Sequence, residues 1–401
     1  MKTFKAINQF DSTLFDTLRG ASALFVLVGH IYQFLIAPSY QLDTSGNIAS
    51  FIFSQLAVLS VMVFFVLSGF MITASIYRNT SSTNFERFDA KQFFKDRLIR
   101  LYPPLIFALF LTVGLYAVAV IFELKAVESF RNGAELYLVR ERLELDTANI
   151  LASVVFLQNF YNVLDTPSMN SPLWSLSHEF WFYVLAALMV QSYFKKSHSI
   201  PLILLLLIAV FSDEKVMFIA GFFIWLSGAA LAMMYFNDVL TNRKIRGFVI
   251  FGTIMLFAIY SFFVMKRESH LFLYGGKFVF GLLFTFTLAF IVSIQKHHIE
   301  SFQQNRIVTF FSNSARYSYT LYLIHAPILL FLLAIFHELI LFKPVYYLGL
   351  SVLAGVSITV LSSYLASYLE DKNYITYLFQ RFKLTSSVYS QNAPQSNEKS
   401  S

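Results

Sequence analysis

The first apolar segment, Asp16-Thr-Leu-Arg-Gly-Ala-Ser-Ala-Leu-Phe-Val-Leu-Val-Gly-His30, decides how the rest of the sequence is interpreted. It lies in an apolar run, residues 18–38, that is long enough to cross a bilayer as a helix. Ionisable side chains are costly inside a membrane and usually functional, yet this run carries Arg19 at its start and His30 deep inside. Eleven residues make about three helical turns, so Arg19 and His30 are expected on one face, about 16 Å apart along the axis.

The composition indicates a polytopic membrane protein. Of the 401 residues, 57% are apolar and 13% charged, whereas soluble domains carry about 25% charged residues. The net charge of +7 is better explained by Lys and Arg confined to certain loops than by a nucleic-acid partner. The sequence has no cysteine, which excludes disulfides, thiolate catalysis and Cys-ligated metal. The first span lacks a small-residue cleavage site and is expected to remain in the mature protein.

Ten apolar segments are predicted to span the membrane, which makes the fold class an all-α helical bundle. They lie at residues 18–38, 51–77, 103–122, 173–193, 200–211, 216–236, 247–265, 277–294, 317–336 and 345–369. The segment at 200–211 is short for a ~30 Å hydrocarbon core. The run at 150–160 is too short to count and is expected to be re-entrant or interfacial.

The positive-inside rule sets the topology. With both termini in the cytoplasm, 21 of the 30 Lys and Arg residues fall on the cytoplasmic side. We therefore predict a multi-pass membrane protein with both termini in the cytoplasm. Its parts are a cytoplasmic N-terminus at 1–15, a transmembrane domain at 16–371 with an extracytoplasmic loop at 123–149, and a cytoplasmic tail at 372–401, disordered towards its end.

Two motifs lie towards the cytoplasmic side. In Phe64-Phe-Val-Leu-Ser68-Gly69-Phe70, the Ser-Gly pair serves either as a packing notch between helices or as a substrate contact. In Phe94-Lys-Asp-Arg97-Leu-Ile-Arg100-Leu-Tyr-Pro103, Arg97 and Arg100 share a helical face just before the third span. A basic flank is often only a topology signal, but two arginines on one face also bind phosphate. The proline is expected to mark a helix boundary or kink.

A third motif, Ser171-Pro-Leu-Trp174-Ser175-Leu-Ser-His178-Glu179-Phe-Trp-Phe-Tyr183, opens the fourth predicted span. Ser175, Glu179 and Tyr183 share one face at positions i, i+4 and i+8. Glu179 is expected about 10 Å below the outer helix end, where a carboxylate must be paired, protonated or hydrated. It either forms a structural salt bridge or binds acceptor hydroxyls and handles protons.

The last motif, Tyr317-Ser-Tyr-Thr-Leu-Tyr322-Leu-Ile-His325-Ala-Pro327, opens the ninth predicted span and places Tyr322 and His325 on one face. The proline leaves the carbonyl of Leu323 without its helical partner. His325 either bonds this freed carbonyl or takes part in chemistry.

Together these motifs resemble, in order and spacing, those of the acyltransferase-3 family of integral membrane acyltransferases. The resemblance covers about residues 16–371. It implies transfer of an acyl group, commonly acetyl, from cytoplasmic acyl-CoA to a hydroxyl of a cell-surface or lipid-linked carbohydrate. A bacterial cytoplasmic (inner) membrane location is expected with it. No metal is expected, since no histidine forms metal-ligand spacing with a carboxylate partner, and neither a tightly bound cofactor nor a nucleic-acid partner is expected. The SGNH-type esterase domain of some members is not expected, since only roughly thirty residues follow the last span.

The resemblance also implies roles for individual residues. The expected catalytic residues are His30, as general base or transient acyl carrier, and Glu179. The phosphates of the donor are expected to be held by Arg19, Arg97 and Arg100. Supporting or substrate-binding roles are expected for Ser68, Trp174, Ser175, Tyr322 and His325. The Arg19 and His30 face is expected to open onto one cavity shared with the second, fourth and ninth spans.

The competing class is a proton-coupled transporter of a small polar solute, because a helical bundle with buried Arg, His and Glu also suits that function. The sequence shows no repeat symmetry and no paired Gly/Pro-broken helices, which counts against a transporter.

Overall fold

The computed structural model describes residues 5–37, 48–124, 145–159, 164–195, 204, 215–265, 275–294, 299–342, 344–371 and 374–375. Within these ranges the chain is helical and contains no β-strand. Eight of the described helices are long and apolar enough to cross a membrane, which confirms the predicted all-α polytopic bundle. The predicted span at 200–211 lies outside the described residues apart from Leu204, as do most of the 123–149 loop and the tail beyond residue 375.

The described helices are numbered in chain order. They are α1 (Gln9–Ile31), α2 (Ile48–Ser81), α3 (Ala90–Ile121), α4 (Thr147–Val154), α5 (Trp174–Lys195), α6 (Lys215–Phe236), α7 (Arg243–Met265), α8 (Lys277–Ser293), α9 (Ile299–Gln304), α10 (Arg306–Ser314), α11 (Ser318–Phe342) and α12 (Pro344–Leu369). A π-helical segment, Tyr32–Ile36, follows α1 directly after the turn that carries His30. Segments of this kind occur frequently at functional sites.

Some helix bounds differ from the apolar runs that predict them. Helix α1 begins at Gln9 because the Asn8 side chain caps it by accepting from the backbone N–H of Asp11. Helix α8, at 17 residues, is shorter than the eight candidate spans. The run at 150–160 does not span, since α4 has only eight residues.

Of the helix boundary or kink predicted at Pro103, the boundary is wrong. Helix α3 runs from Ala90 through Pro103 and Pro104 to Ile121. A proline removes one backbone hydrogen bond, and membrane helices tolerate this where neighbouring groups satisfy the freed carbonyl. The turn that carries Arg97 and Arg100 is therefore continuous with a spanning helix.

Two clusters of buried apolar side chains form the core. The larger joins α2, α5 and α6 through aromatic side chains, among them Phe65, Phe182 and Trp225. The smaller joins α1, α11 and α12 through Leu27, Leu329 and neighbouring side chains. Helix α11 contributes to both clusters and lies between them.

Helices α2 and α6 touch backbone to backbone. A Cβ atom added at Gly69 would lie 2.0 Å from the carbonyl oxygen of Trp225, and one added at Gly228 would lie 2.0 Å from that of Val66. Only glycine permits this approach at either position. Gly69 is thus the packing notch of its motif, which leaves Ser68 free for a different role.

Candidate active site

A cavity of about 140 Å³ lies among α1, α2, α3, α5 and α11. Phe15, Phe64 and Met71 contribute to its apolar wall. Seven of the ten site residues expected from the sequence line it, namely Arg19, Ser68, Arg97, Arg100, Ser175, Glu179 and Tyr322. The remaining three, His30, Trp174 and His325, are not part of its lining. The structure therefore divides the expected site into two parts.

Three guanidinium groups line this cavity. Nη2 of Arg19 lies 3.0 Å from Oδ1 of Asp16, and Nη2 of Arg97 donates to the Ser75 hydroxyl. The Nε atoms of Arg19 and Arg97 are buried and have no hydrogen-bond partner in the described part of the chain. Arg100 supplies the third guanidinium. Buried N–H donors of this kind favour an anionic ligand, because a guanidinium binds phosphate or carboxylate through paired hydrogen bonds.

Glu179 is held by hydroxyl groups. Its Oε1 accepts from Ser68 Oγ at 2.8 Å and from the Tyr183 hydroxyl. The Ser68 hydroxyl accepts in turn from the indole Nε1–H of Trp225 at 3.2 Å. Glu179 forms no ion pair with any described residue, so the structural salt bridge considered from the sequence is not found there.

His30 and His325 form an imidazole pair, with Nδ1 of His30 3.1 Å from Nε2 of His325. Nδ1 of His30 also lies 3.0 Å from the carbonyl oxygen of Val26, and Nδ1 of His325 lies 3.1 Å from that of Leu321. A carbonyl only accepts, so each Nδ1 carries hydrogen. In the neutral rings, Nε2 of His325 therefore accepts from His30, and Nε2 of His30 keeps a free lone pair.

The freed carbonyl of Leu323 has a partner that the sequence did not reveal. Nδ2 of Asn170, a fully buried residue of the 3-10 segment Ser168–Leu173, donates to it at 2.9 Å. The two ring nitrogens of His325 lie against the carbonyl oxygen of Leu321 and against His30, so the alternative in which His325 bonds the Leu323 carbonyl is wrong. Pairing with His30 explains the orientation of His325 instead.

Tyr322 belongs to both parts of the site. It lines the cavity, and its ring centroid lies 5.8 Å from that of His325. Its hydroxyl donates to the carbonyl oxygen of Pro172 at 2.8 Å and must therefore accept from Ser175 Oγ, 2.6 Å away. The expectation that Arg19 and His30 open onto one cavity is corrected, because Arg19 lines the cavity and His30 does not.

Trp174 and His178 pack in the apolar core. The Trp174 ring contacts those of Phe65, at 6.4 Å between centroids, and His178, at 5.3 Å. His178 is fully buried, and neither ring nitrogen has a hydrogen-bond partner among the described residues. Both residues support α5 rather than contacting the cavity.

Two contributors to the site, Trp225 and Asn170, were missed by reasoning from sequence. Trp225 lies in α6, which is apolar on every face, so periodicity gives it no signal. Its only indication is chemical, since a buried indole N–H usually finds an acceptor. The position of Pro327 predicts that the carbonyl of Leu323 needs a hydrogen-bond donor, but only the fold shows that Asn170 is that donor.

Comparison with known proteins gives one family. A family model of the acyltransferase-3 type, described as an acyltransferase domain, matches residues 13–368. A protein of Haemophilus influenzae described as uncharacterized is 29% identical over 194 residues. This match covers 46% of the present chain and 65% of that relative's length. No solved structure matches the chain.

Proposed function

Because this chain belongs to the acyltransferase-3 family, we propose that it is a membrane acyltransferase that moves an acyl group from cytoplasmic acyl-CoA to a carbohydrate hydroxyl. In the simplest case the group is acetyl, and the acceptor is a cell-surface or lipid-linked glycan of a bacterium. The observation that carries the proposal is the position of Tyr322. Its ring lines the arginine-rich cavity and also packs against His325 of the imidazole pair. One side chain thus connects the donor-binding cavity with the imidazole pair that includes the base.

The donor binds through its phosphates. Arg19, Arg97 and Arg100 face one cavity, and two of them keep buried N–H groups without a partner in the described chain. Charge-assisted hydrogen bonds to phosphate oxygens are about twice as strong as neutral ones. The apolar wall, which includes Phe64, then receives the acyl chain and directs the thioester towards Tyr322.

His30 acts as the general base. Its Nε2 lone pair removes the proton of the acceptor hydroxyl while the hydroxyl oxygen attacks the thioester carbonyl carbon. The carbon–sulfur bond then breaks, and the CoA thiolate takes the proton from the imidazolium as it leaves. His325 accepts a hydrogen bond from Nδ1 of His30 throughout, which keeps the ring in the orientation and tautomer that the reaction needs.

Glu179 orients polar groups of the substrates. Ser68 and Tyr183 both donate to its Oε1, which fixes the carboxylate of a residue that lines the cavity and leaves Oε2 available. A carboxylate oxygen in this position accepts a hydrogen bond from a hydroxyl group. We assign Glu179 to holding the acceptor beside the thioester.

The proposal is tested by incubating membranes that contain the protein with acetyl-CoA labelled in the acetyl group. Label should enter a glycan fraction as an ester that mild alkali releases. His30→Ala should lower this transfer by about 10² to 10⁴-fold at equal protein level. His178→Leu, which changes a buried histidine outside the cavity, should retain transfer.

A proton-coupled transporter would give a different result. It would release no CoA from acetyl-CoA, whatever solute it carried. Membranes that contain the intact protein and neither release CoA nor transfer the acetyl group would therefore overturn the proposed function. Full transfer by His30→Ala would overturn the role of His30.

A further inference from the structure

We propose that Trp225 is a positioning residue of this acyltransferase: its indole N–H sets the direction of the Ser68 hydroxyl, which in turn holds Glu179. The inference rests on the proposed function and extends it to α6, which contributes no residue to the cavity lining. Trp225 acts through Ser68 and does not itself line the cavity.

The direction of the hydrogen bonds follows from the chemistry of the groups. An indole nitrogen only donates, so at the contact between Nε1 of Trp225 and Oγ of Ser68 the serine must accept. The serine's own hydrogen then remains for a different acceptor. Oε1 of Glu179 lies 2.8 Å away and takes it. Trp225, Ser68 and Glu179 thus form a chain in which each hydrogen bond points towards the carboxylate.

A second serine of α2 shows what Ser68 does differently. Ser60 donates to the carbonyl oxygen of Leu56, one turn earlier, at 2.7 Å. This bond to the i−4 carbonyl is the ordinary choice for serine within a helix. Ser68 has the same choice at Phe64 but points to Glu179 instead. The indole N–H of Trp225, on α6, donates to the oxygen of Ser68. This bond favours the Ser68 rotamer whose hydroxyl hydrogen points to the carboxylate.

The packing of α6 makes the indole a rigid donor. Trp225 is 2% exposed, and its ring stacks parallel to that of Phe222. The crossing at Gly69 and Gly228 brings the two backbones into contact beside it. A donor fixed by a close helix crossing loses little conformational entropy when it binds, so its hydrogen bond selects one Ser68 rotamer effectively.

The first test compares two tryptophan variants in the labelled acetyl-CoA assay. Trp225→Phe keeps an aromatic ring and removes the N–H. It should lower the maximal rate about five- to tenfold, the equivalent of about one hydrogen bond, and leave the KM for acetyl-CoA within about twofold. The matched control is Trp181→Phe, which removes an indole N–H that donates to the Phe156 carbonyl oxygen at 2.9 Å, away from the cavity. The control should keep the wild-type rate.

A double-mutant cycle separates positioning from general packing. If Trp225 acts through Ser68, adding Trp225→Phe to Ser68→Ala should cause no further loss of rate. Equal losses in the two backgrounds, or a wild-type rate for Trp225→Phe alone, would overturn the proposal. A rise in the KM for acetyl-CoA without a change in maximal rate would also overturn the proposal. Trp225 would then affect the binding of the donor and not the position of Glu179.

A spectroscopic measurement tests the hydrogen bond without an activity. The chain has three tryptophans, so the protein labelled with ¹⁵N in its indoles gives three side-chain signals. Trp225→Phe identifies the relevant signal by its loss. Ser68→Ala should shift that signal and leave the others in place, whereas an unmoved signal would overturn the contact. If Ser68→Ala shifts the signal but the wild-type protein transfers no acetyl group, the contact stands and the proposed function alone is overturned.

Discussion

Nε2 of His325 lies 3.1 Å from Nδ1 of His30, although 295 positions separate the two residues in the chain. The contact joins the first described helix to the eleventh at the turn that carries the proposed base. Each ring also meets a backbone carbonyl of its own helix through Nδ1, which fixes both tautomers. A base whose tautomer is set by a second group is the arrangement that efficient proton transfer requires.

Removal of His325 should therefore impair the chemical step more than donor binding. His325→Ala is expected to lower the maximal rate of acetyl transfer by about 10²-fold, the typical cost of misplacing a reacting group by about 1 Å. The KM for acetyl-CoA should change little, because His325 does not line the arginine-rich cavity. His325→Gln places an amide oxygen near the lost Nε2 and should recover part of the rate. A wild-type rate for His325→Ala would contradict the pairing role.

Removal of a cavity arginine should have the opposite kinetic signature. Arg100→Gln is expected to raise the KM for acetyl-CoA at least about tenfold, since a charge-assisted hydrogen bond contributes about 1.5–3 kcal/mol. The maximal rate at saturating donor should stay near the wild-type value, because binding is lost equally from ground and transition states. Arg243→Gln is the matched control, since Arg243 is exposed at the start of α7. Equal KM values for the two variants would contradict donor binding at Arg100.

The sequence predicts most of what depends on one helix alone. Helical spacing places Arg97 and Arg100 on one face, and both line the cavity. Spacing also places Ser175, Glu179 and Tyr183 on one face, and all three line the same cavity. These predictions succeed because a regular helix fixes the angle between residues whatever surrounds it.

Contacts between residues on different helices could not be predicted from the sequence. The chemistry of Pro327 predicts a carbonyl without a partner at Leu323, but its partner Asn170 is 153 positions away and known only from the fold. Spacing predicts the shared face of Arg19 and His30, yet only the packing of the helices shows that Arg19 lines the cavity and His30 does not. No single-helix pattern contains that information.

The close crossing of α2 and α6 predicts a sharp difference between two glycine substitutions. In Gly69→Ala the new Cβ would lie 2.0 Å from the carbonyl oxygen of Trp225, so the helices must separate. We expect a loss of about 2 kcal/mol of stability, typical of an overpacked core. In Gly114→Ala the new Cβ meets nothing within 4 Å, and stability should be unchanged or higher by up to about 1 kcal/mol. Thermal unfolding of the detergent-solubilised variants measures both, and equal unfolding temperatures would contradict the crossing.

Glu370, which follows α12, predicts a dependence of stability on pH. Its Oε1 accepts from the backbone N–H of Thr320 at 2.9 Å and from the Thr320 hydroxyl at 2.6 Å. Burial raises the pKa of Glu370, while these hydrogen bonds and the charges of Arg100 and Arg19 act in the opposite direction. A carboxyl whose pKa is higher in the folded state stabilises the fold below its unfolded pKa, about 4.3, and loses that contribution as the pH rises through the folded value.

Glu370→Gln keeps an oxygen acceptor without the charge, so its unfolding temperature should rise relative to wild type between pH 4 and pH 7. A difference that is constant with pH, or that falls as the pH rises, would show that the carboxyl is not destabilised by its burial.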